Sequence, residues 1–283
     1  MQVKVAKIGG FCMGVNRALN ITLEIIHSGK TVTTYGPLIH NRQVIEMLEQ
    51  KGVRAETDYE KIPQGKVIIR AHGAPVSEIE ALKYHGFEII DGTCPKVKSS
   101  HEKIRWAAER GARIIIVGDH DHDEVSGLKG QRESECTVVS SLEEFQSLER
   151  YDGLVVVLAQ TTFSTIEYKK IKKDCRKRFP NAKIFNTICS ATEKRQVEVR
   201  EMAKSCDAII IVGGYNSANT CRLAEIARSE NIPTFHVETI KDIVRNKITK
   251  YTTIGVTGGA STPPWIIDEV VTYLNSLSEK KER

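Results

Sequence analysis

Apolar strand patterns alternate with amphipathic helical patterns along the whole of this 283-residue chain. The strand-like runs cover residues 32–35, 67–69, 114–117, 154–158, 209–212, 234–237 and 253–256. The helical patterns cover residues 13–28, 43–51, 96–110, 164–179, 192–204, 217–229 and 264–277. Uninterrupted apolar strands that alternate with helices are typical of parallel sheets covered on both faces. The sequence therefore predicts an α/β protein with small, mainly parallel sheets.

A repeat becomes visible when the chain is aligned on Cys12, Cys94 and Cys189, each of which follows a strand pattern and precedes a helical one. A glycine stands 24 residues after each cysteine: Gly36, Gly118 and Gly213. The residues 28 positions after the cysteines are His40, His122 and Ser217, and those 30 positions after them are Arg42, Glu124 and Asn219. Chance is a poor explanation for all of these matches. The repeat predicts three similar α/β domains of about 90 residues, below the typical domain size. Their spans are 1–92 with Cys12, 93–187 with Cys94, and 188–283 with Cys189 and the C-terminal helix.

The repeat also predicts where a site would lie. In open parallel sheets, ligands bind outside the carboxyl ends of the strands, so the residues after the strands of all three units are expected to face one centre. A second loop after a strand in each unit adds Ala71-His72-Gly73, Gln160-Thr161-Thr162 and Gly258-Gly259-Ala260-Ser261.

Composition narrows the class of protein. The chain starts without the apolar segment of a signal peptide, and no apolar run approaches the length of a membrane span, so a cytoplasmic protein without membrane contact is expected. The net charge of +5 is spread along the chain, which permits an anionic substrate or an acidic partner and does not favour nucleic acid. Seven cysteines in such a protein are expected to be thiols or metal ligands.

The three cysteines in repeat phase are candidate metal ligands. A thiol at the start of a helix has a lowered pKa and suits metal ligation, and three thiolates can hold three irons of a [4Fe-4S] cluster. The fourth iron would stay open as a Lewis acid. The alternatives are three buried small side chains, or a zinc site, which normally needs four ligands and close cysteine pairs. The cysteines outside the repeat phase are interpreted as packing residues: Cys136, Cys175, Cys206 and Cys221.

A set of polar residues at predicted strand ends and helix starts suits an anion, because such positions offer backbone N–H groups and a favourable dipole. The set comprises His40, His72, His122, Ser217, Asn219 and Ser261, and it could hold a phosphate or a diphosphate. The alternative for any single histidine is a solvated surface residue, and this reading is preferred for His27, His85, His101 and His236. No full dinucleotide or P-loop fingerprint is present, so neither an NAD nor an ATP site is predicted.

Glu124 is the one carboxylate in repeat phase. In a closed site its pKa could be raised, which would let it donate protons. The alternative is a first-turn glutamate favoured by the helix dipole. Thr161 and Thr162 could relay protons or could simply be β-branched residues at a strand end.

At these residues the sequence resembles the family of 4-hydroxy-3-methylbut-2-enyl diphosphate reductases, which act last in the non-mevalonate isoprenoid pathway. The resemblance covers nearly the whole chain. Its first motifs are Gly10-Phe11-Cys12-Met13-Gly14-Val15, Ile39-His40-Asn41, Arg70-Ala71-His72-Gly73, Thr93-Cys94-Pro95-Lys96-Val97 and His122-Asp123-Glu124-Val125. The others are Gln160-Thr161-Thr162, Thr187-Ile188-Cys189, Arg195-Gln196, Asn216-Ser217-Ala218-Asn219 and Gly259-Ala260-Ser261.

The resemblance implies a pseudo-threefold trefoil of α/β domains around a central [4Fe-4S] cluster with the ligands Cys12, Cys94 and Cys189. It implies that the substrate's hydroxyl binds the open iron and that Glu124, with Thr161, supplies protons. The residues implied to hold the diphosphate are His40, His72, His122, Ser217, Ala218, Asn219 and Ser261. Two electrons, taken from a ferredoxin or a flavodoxin, would remove the hydroxyl as water and leave isopentenyl and dimethylallyl diphosphate. A monomer is expected.

Three positions depart from the family pattern. Ala218 stands where a second serine is usual, which removes one hydroxyl from the diphosphate site unless a backbone N–H substitutes. Asp123 stands where proline is common, which is expected to loosen that loop. Lys194 replaces a frequent asparagine, with no consequence that the sequence predicts. The charged tail, residues 279–283, is expected to be frayed.

Without the resemblance, the residues indicate a three-unit α/β protein with a cysteine-ligated metal centre and an anion-binding cleft. One rival is a dehydratase of the quinolinate synthase kind, which would need no external electrons. Another is an electron carrier without a substrate, which would need a fourth cysteine and no anion-binding residues.

Overall fold

The computed structural model describes residues 1–132 and 136–279. Its strands are β1 Gln2–Val5, β2 Val32–Tyr35, β3 Arg54–Glu56, β4 Lys66–Ile69, β5 Glu88–Asp91, β6 Arg113–Val117, β7 Cys136–Val139, β8 Val155–Ala159, β9 Lys183–Ile184, β10 Ala208–Val212, β11 Thr234–Val237 and β12 Thr253–Gly258. Its α-helices are α1 Met13–His27, α2 Arg42–Gln50, α3 Val76–Tyr84, α4 Pro95–Ala108, α5 Asp123–Lys129, α6 Leu142–Ser147, α7 Thr165–Arg178, α8 Ser190–Ala203, α9 Ala218–Ser229, α10 Arg245–Ile248 and α11 Pro264–Glu279. Most of the tail that was expected to fray, residues 280–283, lies outside the described residues.

The described strands form three four-stranded sheets in which every pair of neighbours is parallel. The orders are β3-β2-β4-β5, β7-β6-β8-β9 and β11-β10-β12-β1. Along the chain, three strands follow the helix that comes after each cysteine. In the sheet, the first of these strands lies between the second and the third, and a fourth strand pairs with the third on its other side. The predicted α/β class with small parallel sheets is therefore confirmed, and the same strand order recurs three times.

The first strand of the chain belongs to the sheet of the last residues. β1 pairs with β12 from Gln2 opposite Thr253 to Val5 opposite Val256. It occupies the position that β5 and β9 occupy in the other two sheets. The three domain spans 1–92, 93–187 and 188–283 stay a prediction.

The chain divides into two compact units. One unit comprises Met1–Cys12, His40–Val44 and the chain from Ser190 onward. It contains the sheet β11-β10-β12-β1, whose strand β10 is fully buried because Ala208 to Val212 are apolar on both faces. Helix α11 packs Val270 and Leu274 onto this sheet.

The other unit comprises Met13–Ile39 and Ile45–Cys189, and it contains the remaining two sheets. In β6 and β8, Ile115 and Val157 pack on one side with Phe145 and Tyr168, while Ile114 packs on the other side with residues of α4 and α5. Among the described residues, no helix has both the length and the apolarity that crossing a membrane requires.

Glycines end the first strand after each cysteine's helix. Gly36, Gly118 and Gly213 follow β2, β6 and β10 and donate their N–H groups to the last residue of the neighbouring strand, at 3.1, 2.9 and 2.8 Å. Gly36 has φ 71° and Gly213 has φ 141°, values that favour glycine over any residue with a Cβ atom. After each of these turns the chain continues into a loop that carries candidate site residues.

Candidate functional site

Cys12, Cys94 and Cys189 stand at equivalent corners of their sheets. Each is half-buried and directly precedes a helix, namely α1, α4 and α8. Each donates its backbone N–H to the loop that follows the third strand of a sheet: Cys12 to Ala260 O (2.9 Å), Cys94 to Ala71 O (3.0 Å) and Cys189 to Thr161 O (2.9 Å). The repeat phase that was read from the sequence therefore corresponds to one backbone arrangement formed three times.

The segment before Cys12 is held by helix α8. Arg195 is buried and donates from Nη2 to the carbonyl oxygen of Gly10 at 2.7 Å. Glu198, one turn further on, accepts the backbone N–H groups of Lys7 (2.6 Å) and Ile8 (3.1 Å). The sequence marked Arg195 only as part of a motif and did not predict that it anchors this loop.

The segments before the other two cysteines are held by different side chains. Arg17 of α1 donates to the carbonyl oxygens of Asp91 and Thr93, with Nη1 at 3.3 Å from each. Thr187 forms hydrogen bonds with both backbone groups of Ala159, at 2.6 and 2.7 Å. Each proposed thiol ligand thus follows a segment whose backbone is fixed, which is what a metal site needs from its ligands.

Burial raises the thiol pKa of three cysteines outside the repeat phase. Burial raises the pKa of the Cys175 thiol to about 11, and Cys175 belongs to the core cluster beside β8. Burial also raises the pKa of Cys206 and of Cys221. Thiols with raised pKa values are poorer ligands, since the thiolate is the form that binds metal.

Glu124 lies in the first turn of α5, and its side chain is fully enclosed, with 1% of its surface exposed. Its Oε1 accepts the backbone N–H of Thr161 and its Oε2 accepts the Thr161 hydroxyl, both at 2.7 Å. Burial raises the pKa of the Glu124 carboxyl to about 7, although the two bonds from Thr161 lower it; the nearby charge of Asp119 adds a further raising effect. A carboxyl group in this state can both give and regain a proton near neutral pH.

His122 and His72 lie together in the same compact unit. Their ring centroids are 5.6 Å apart, with the rings nearly perpendicular. His122 is the N-cap of α5, and its Nδ1 accepts the backbone N–H of Glu124 at 3.0 Å. The neutral imidazole therefore carries its proton on Nε2, from where it can donate to an anion.

Asp123, which replaces the common proline, takes part in an ion pair that the sequence did not predict. Its Oδ1 lies 3.2 Å from Nη2 of Arg70, a buried residue whose Nε donates to Gly73 O at 3.2 Å. A carboxylate oxygen of Asp123 is also within 4.8 Å of a ring nitrogen of His72. The carboxylate of Asp123 thus ties the loop of His122 to the loop of His72, and the expectation that aspartate in place of proline loosens this loop stays a prediction.

A second polar group lies in the unit that contains α9. Ser261 Oγ is 3.0 Å from the carbonyl oxygen of His40 and 3.2 Å from Ser217 Oγ. Ser217 is the N-cap of α9 and accepts the N–H of Thr220 at 3.4 Å. These side chains join three loops at one helix start.

Asn219, in the first turn of α9, leaves a hydrogen-bond donor unused. It is 4% exposed, and its Nδ2 has no hydrogen-bond partner among the described residues. A buried amide donor without a partner is costly unless a ligand completes it. Together with the hydroxyl groups at the start of α9, this donor fits an oxygen-rich anion. Ala218 contributes only its backbone to this helix start, and Lys194 lies exposed on α8.

Parallel α/β sheets with cysteines at three equivalent corners, a buried carboxylic acid and polar helix starts are compatible with the class of α/β iron–sulfur enzymes. The chain belongs to the LytB protein family, whose family model matches residues 3–275. This match confirms the family resemblance seen in the motifs, and enzymes of the family are iron–sulfur proteins.

Curated relatives match the chain over its full length. The 4-hydroxy-3-methylbut-2-enyl diphosphate reductase of Pelobacter propionicus is 41% identical over 99% of this chain and 100% of its own length. The enzymes of the same name from Geobacter sulfurreducens and Oleidesulfovibrio alaskensis are 39% and 42% identical, over 100% and 98% of this chain and 100% of each relative.

Two solved structures are similar to this one. The E-1-hydroxy-2-methyl-but-2-enyl-4-diphosphate reductase of Plasmodium falciparum has a TM-score of 0.93 and 26% identity, over 97% of this chain and 88% of its own. A second structure, of an (E)-4-hydroxy-3-methyl-but-2-enyl diphosphate reductase, has a TM-score of 0.70 and 35% identity, over 98% and 100% of the two chains.

Proposed function

We propose that this chain is a reductase that converts (E)-4-hydroxy-3-methylbut-2-enyl diphosphate to isopentenyl and dimethylallyl diphosphate, the last step of the non-mevalonate pathway. The reaction breaks the allylic C–O bond, takes up two electrons and two protons, and releases the hydroxyl oxygen as water. The observation that carries the proposal is the match, at 41% identity and full coverage, to a protein that bears this enzyme's name.

The cofactor we propose is a [4Fe-4S] cluster with the ligands Cys12, Cys94 and Cys189. These three thiols are suited to hold such a cluster, because each lies at an equivalent strand-to-helix corner and follows a segment whose backbone is fixed by hydrogen bonds. Such a cluster, with three protein ligands and one open iron, would supply single electrons and Lewis acidity. The protein's own task is then to bind the diphosphate, to exclude water and to deliver protons.

The proton donor in this proposal is Glu124. Its pKa of about 7 leaves a large share of the carboxyl groups protonated at neutral pH, and full burial keeps the proton from exchanging freely with solvent. The Thr161 hydroxyl, at 2.7 Å from Oε2, is the group through which a proton would be passed.

The diphosphate would be bound by the side chains of His40, His72, His122, Ser217, Asn219 and Ser261 and by the backbone N–H of Ala218. The donors that we assign to this anion include the Nε2–H of His122, whose Nδ1 is occupied by the N–H of Glu124, and the Nδ2 of Asn219, which has no hydrogen-bond partner among the described residues. Donors of this kind at helix starts favour an anion through the helix dipole and the free N–H groups of the first turn.

Three further features remain proposals. The electrons would come one at a time from a ferredoxin or a flavodoxin, the chain would act as a monomer, and it would lie in the cytoplasm.

The decisive test is anaerobic purification followed by iron and sulfide analysis and by a reductive assay on the allylic diphosphate. We expect close to one cluster per chain and consumption of the substrate under a strong one-electron donor. Cys94→Ser should lose most of the iron and the visible absorbance of the cluster, whereas the packing variant Cys206→Ser should keep both. A cluster-loaded protein that leaves the substrate unchanged would favour a dehydratase or an electron carrier, and unaltered iron in Cys94→Ser would exclude Cys94 as a ligand.

A further inference from the structure

The first turn of α1 contains a glycine, Gly14, at a position where the helical backbone does not require one. Gly14 is buried and is the second residue of α1, where its backbone is not in the left-handed region. Glycine is disfavoured in a helix relative to residues with a side chain. The positions equivalent to Gly14 after the other two cysteines carry Lys96 and Ala191. A helix start after a cysteine corner therefore accepts a Cβ atom, and the reason for glycine lies outside α1.

That reason is the side chain of Cys94. A Cβ atom placed on Gly14 would lie 2.5 Å from Sγ of Cys94 and 2.9 Å from its Cβ, and the next nearest atom is the Cα of the same residue, at 3.8 Å. Contacts below 3.0 Å are essentially never seen for real Cβ atoms. The thiol of Cys94 thus occupies the space that any other residue at position 14 would fill.

Cys94 has little freedom to move away. Its backbone N–H is bonded to Ala71 O at 3.0 Å, and Pro95 follows it in the first turn of α4. Arg17, one turn after Gly14 on α1, donates to the carbonyl oxygen of Thr93 at 3.3 Å. Helix α1 therefore contacts the Cys94 corner twice. Arg17 forms a hydrogen bond with the backbone beside Cys94, and Gly14 lies against the side chain of Cys94.

We propose that Gly14 is a positioning residue that determines where the sulfur of Cys94 lies. A side chain at this position displaces the sulfur or separates α1 from the Cys94 corner, and either change removes one ligand from its correct place. This inference rests on the proposed function only in so far as Cys94 is a cluster ligand; the contact itself is independent of any cofactor.

The first experiment compares Gly14→Ala with the control Gly127→Ala after anaerobic cluster reconstitution. Gly127 is also a helical glycine in the same compact unit, but a Cβ atom there would meet its nearest neighbours at 3.5–3.6 Å, which is ordinary contact. We expect Gly14→Ala to retain less than half of the wild-type iron and to show an altered visible spectrum, while Gly127→Ala matches the wild type. Equal iron and an identical spectrum in Gly14→Ala would overturn the proposal.

The second experiment uses metal-free protein and so does not depend on the cluster. Alkylation of Cys94, followed by mass spectrometry of its peptide, should become severalfold faster in Gly14→Ala because the thiol is pushed off α1. The denaturation midpoint should fall in Gly14→Ala and should recover in the double variant with Cys94→Gly, in which both clashing atoms are absent. An unchanged alkylation rate, or a double variant that is as unstable as Gly14→Ala, would overturn the proposal. A wild type that binds no iron would refute the proposed cofactor, and the metal-free readouts would still decide on Gly14.

Discussion

Thr161 holds both carboxylate oxygens of Glu124, one through its backbone N–H and one through its hydroxyl, each at 2.7 Å. The pair of bonds fixes the plane of the carboxyl group inside a site from which solvent is excluded. Burial and hydrogen bonding act on the pKa in opposite directions, and burial prevails, so that the pKa lies at about 7. The pKa of this group is therefore set mainly by its burial and by Thr161, with a smaller contribution from the charge of Asp119.

Replacing Glu124 by glutamine should leave the fold and the cluster in place but slow turnover by about 10²- to 10⁴-fold, the usual contribution of a positioned proton donor. Glutamine has nearly the same shape and can still accept one bond from Thr161. The measurement is kcat with iron content and substrate binding determined in parallel. Turnover near that of the wild type would remove Glu124 from the mechanism.

The pH dependence of turnover should show the titration of Glu124. If the protonated acid is the active form, kcat falls as the pH rises through about 7, and the fall is absent from the residual activity of Glu124→Gln. A profile that stays flat from pH 6 to 8, with the electron donor in excess, would contradict this assignment.

The same carboxyl group makes folding stability depend on pH. Its pKa is raised in the folded state, so the folded protein binds more protons than the unfolded chain between the ordinary value of 4.5 and about 7. Stability from this group is fully present below pH 4.5 and is lost as the pH rises through 7. The loss is on the order of 3 kcal/mol, since each pKa unit corresponds to about 1.4 kcal/mol. Denaturant unfolding of the wild type relative to Glu124→Gln, at several pH values, measures it.

Thr161→Val removes the hydroxyl and keeps the backbone N–H. Because the Thr161 hydroxyl lowers the pKa of Glu124, its loss should move the alkaline limb of the pH–rate profile to higher pH. A role in proton relay predicts a lower maximal rate as well, whereas a purely electrostatic role predicts the shift alone. Thr161→Ser, which retains the hydroxyl, should behave as the wild type.

The success of the strand predictions depends on how strong the local pattern of each strand is. Residues 32–35 and 209–212 were predicted as strands and are found in β2 and β10, because buried runs of β-branched, aromatic and apolar residues leave a strong local pattern. The edge strands β3 and β7 were not predicted, although the edge strand β11, residues 234–237, was. All residues of β3, and all those of β7 except Val139, are exposed or half-buried. The pairing of β1 with β12 joins residues some 250 positions apart, and no local pattern encodes a partner at that distance.

Within the candidate site, the repeat phase identified residues whose role depends on backbone position, such as His122 at a helix start. It missed Arg70, Arg17 and Arg195, which act through long side chains that reach other loops. The partner of such a side chain depends on how the loops pack, and the sequence position of the arginine alone does not contain that information.

Asp123→Asn should lower the free energy of unfolding by about 1–2 kcal/mol, because it leaves the buried guanidinium of Arg70 without its ion-pair partner, 3.2 Å away. The neighbouring Asp121 is exposed, so Asp121→Asn should change stability by less than about 0.5 kcal/mol. Equal effects of the two substitutions on the denaturation midpoint would mean that the ion pair does not hold the two histidine loops together.

Asn219→Ala should raise KM for the diphosphate substrate by about tenfold or more, which is the effect of losing one hydrogen bond to a charged group. Stability should hardly change, since the buried Nδ2 has no partner among the described residues. Asn216→Ala, at an exposed position of the same loop, serves as the control. Unchanged KM and unchanged inhibition by inorganic diphosphate would exclude the Asn219 amide from substrate binding.

The pairing of β1 with β12 has a consequence for biosynthesis. Cys12 is synthesised long before Thr253 to Val256, with which the strand before it pairs, and long before Ala260, to which its own N–H is bonded. A nascent chain can therefore order the corners of Cys94 and Cys189 while the corner of Cys12 is still unformed. Under the proposed ligand set, complete cluster insertion has to wait until β12 and Ala260 have been synthesised, and a chain truncated before β12 would lack one prepared ligand although it contains all three cysteines.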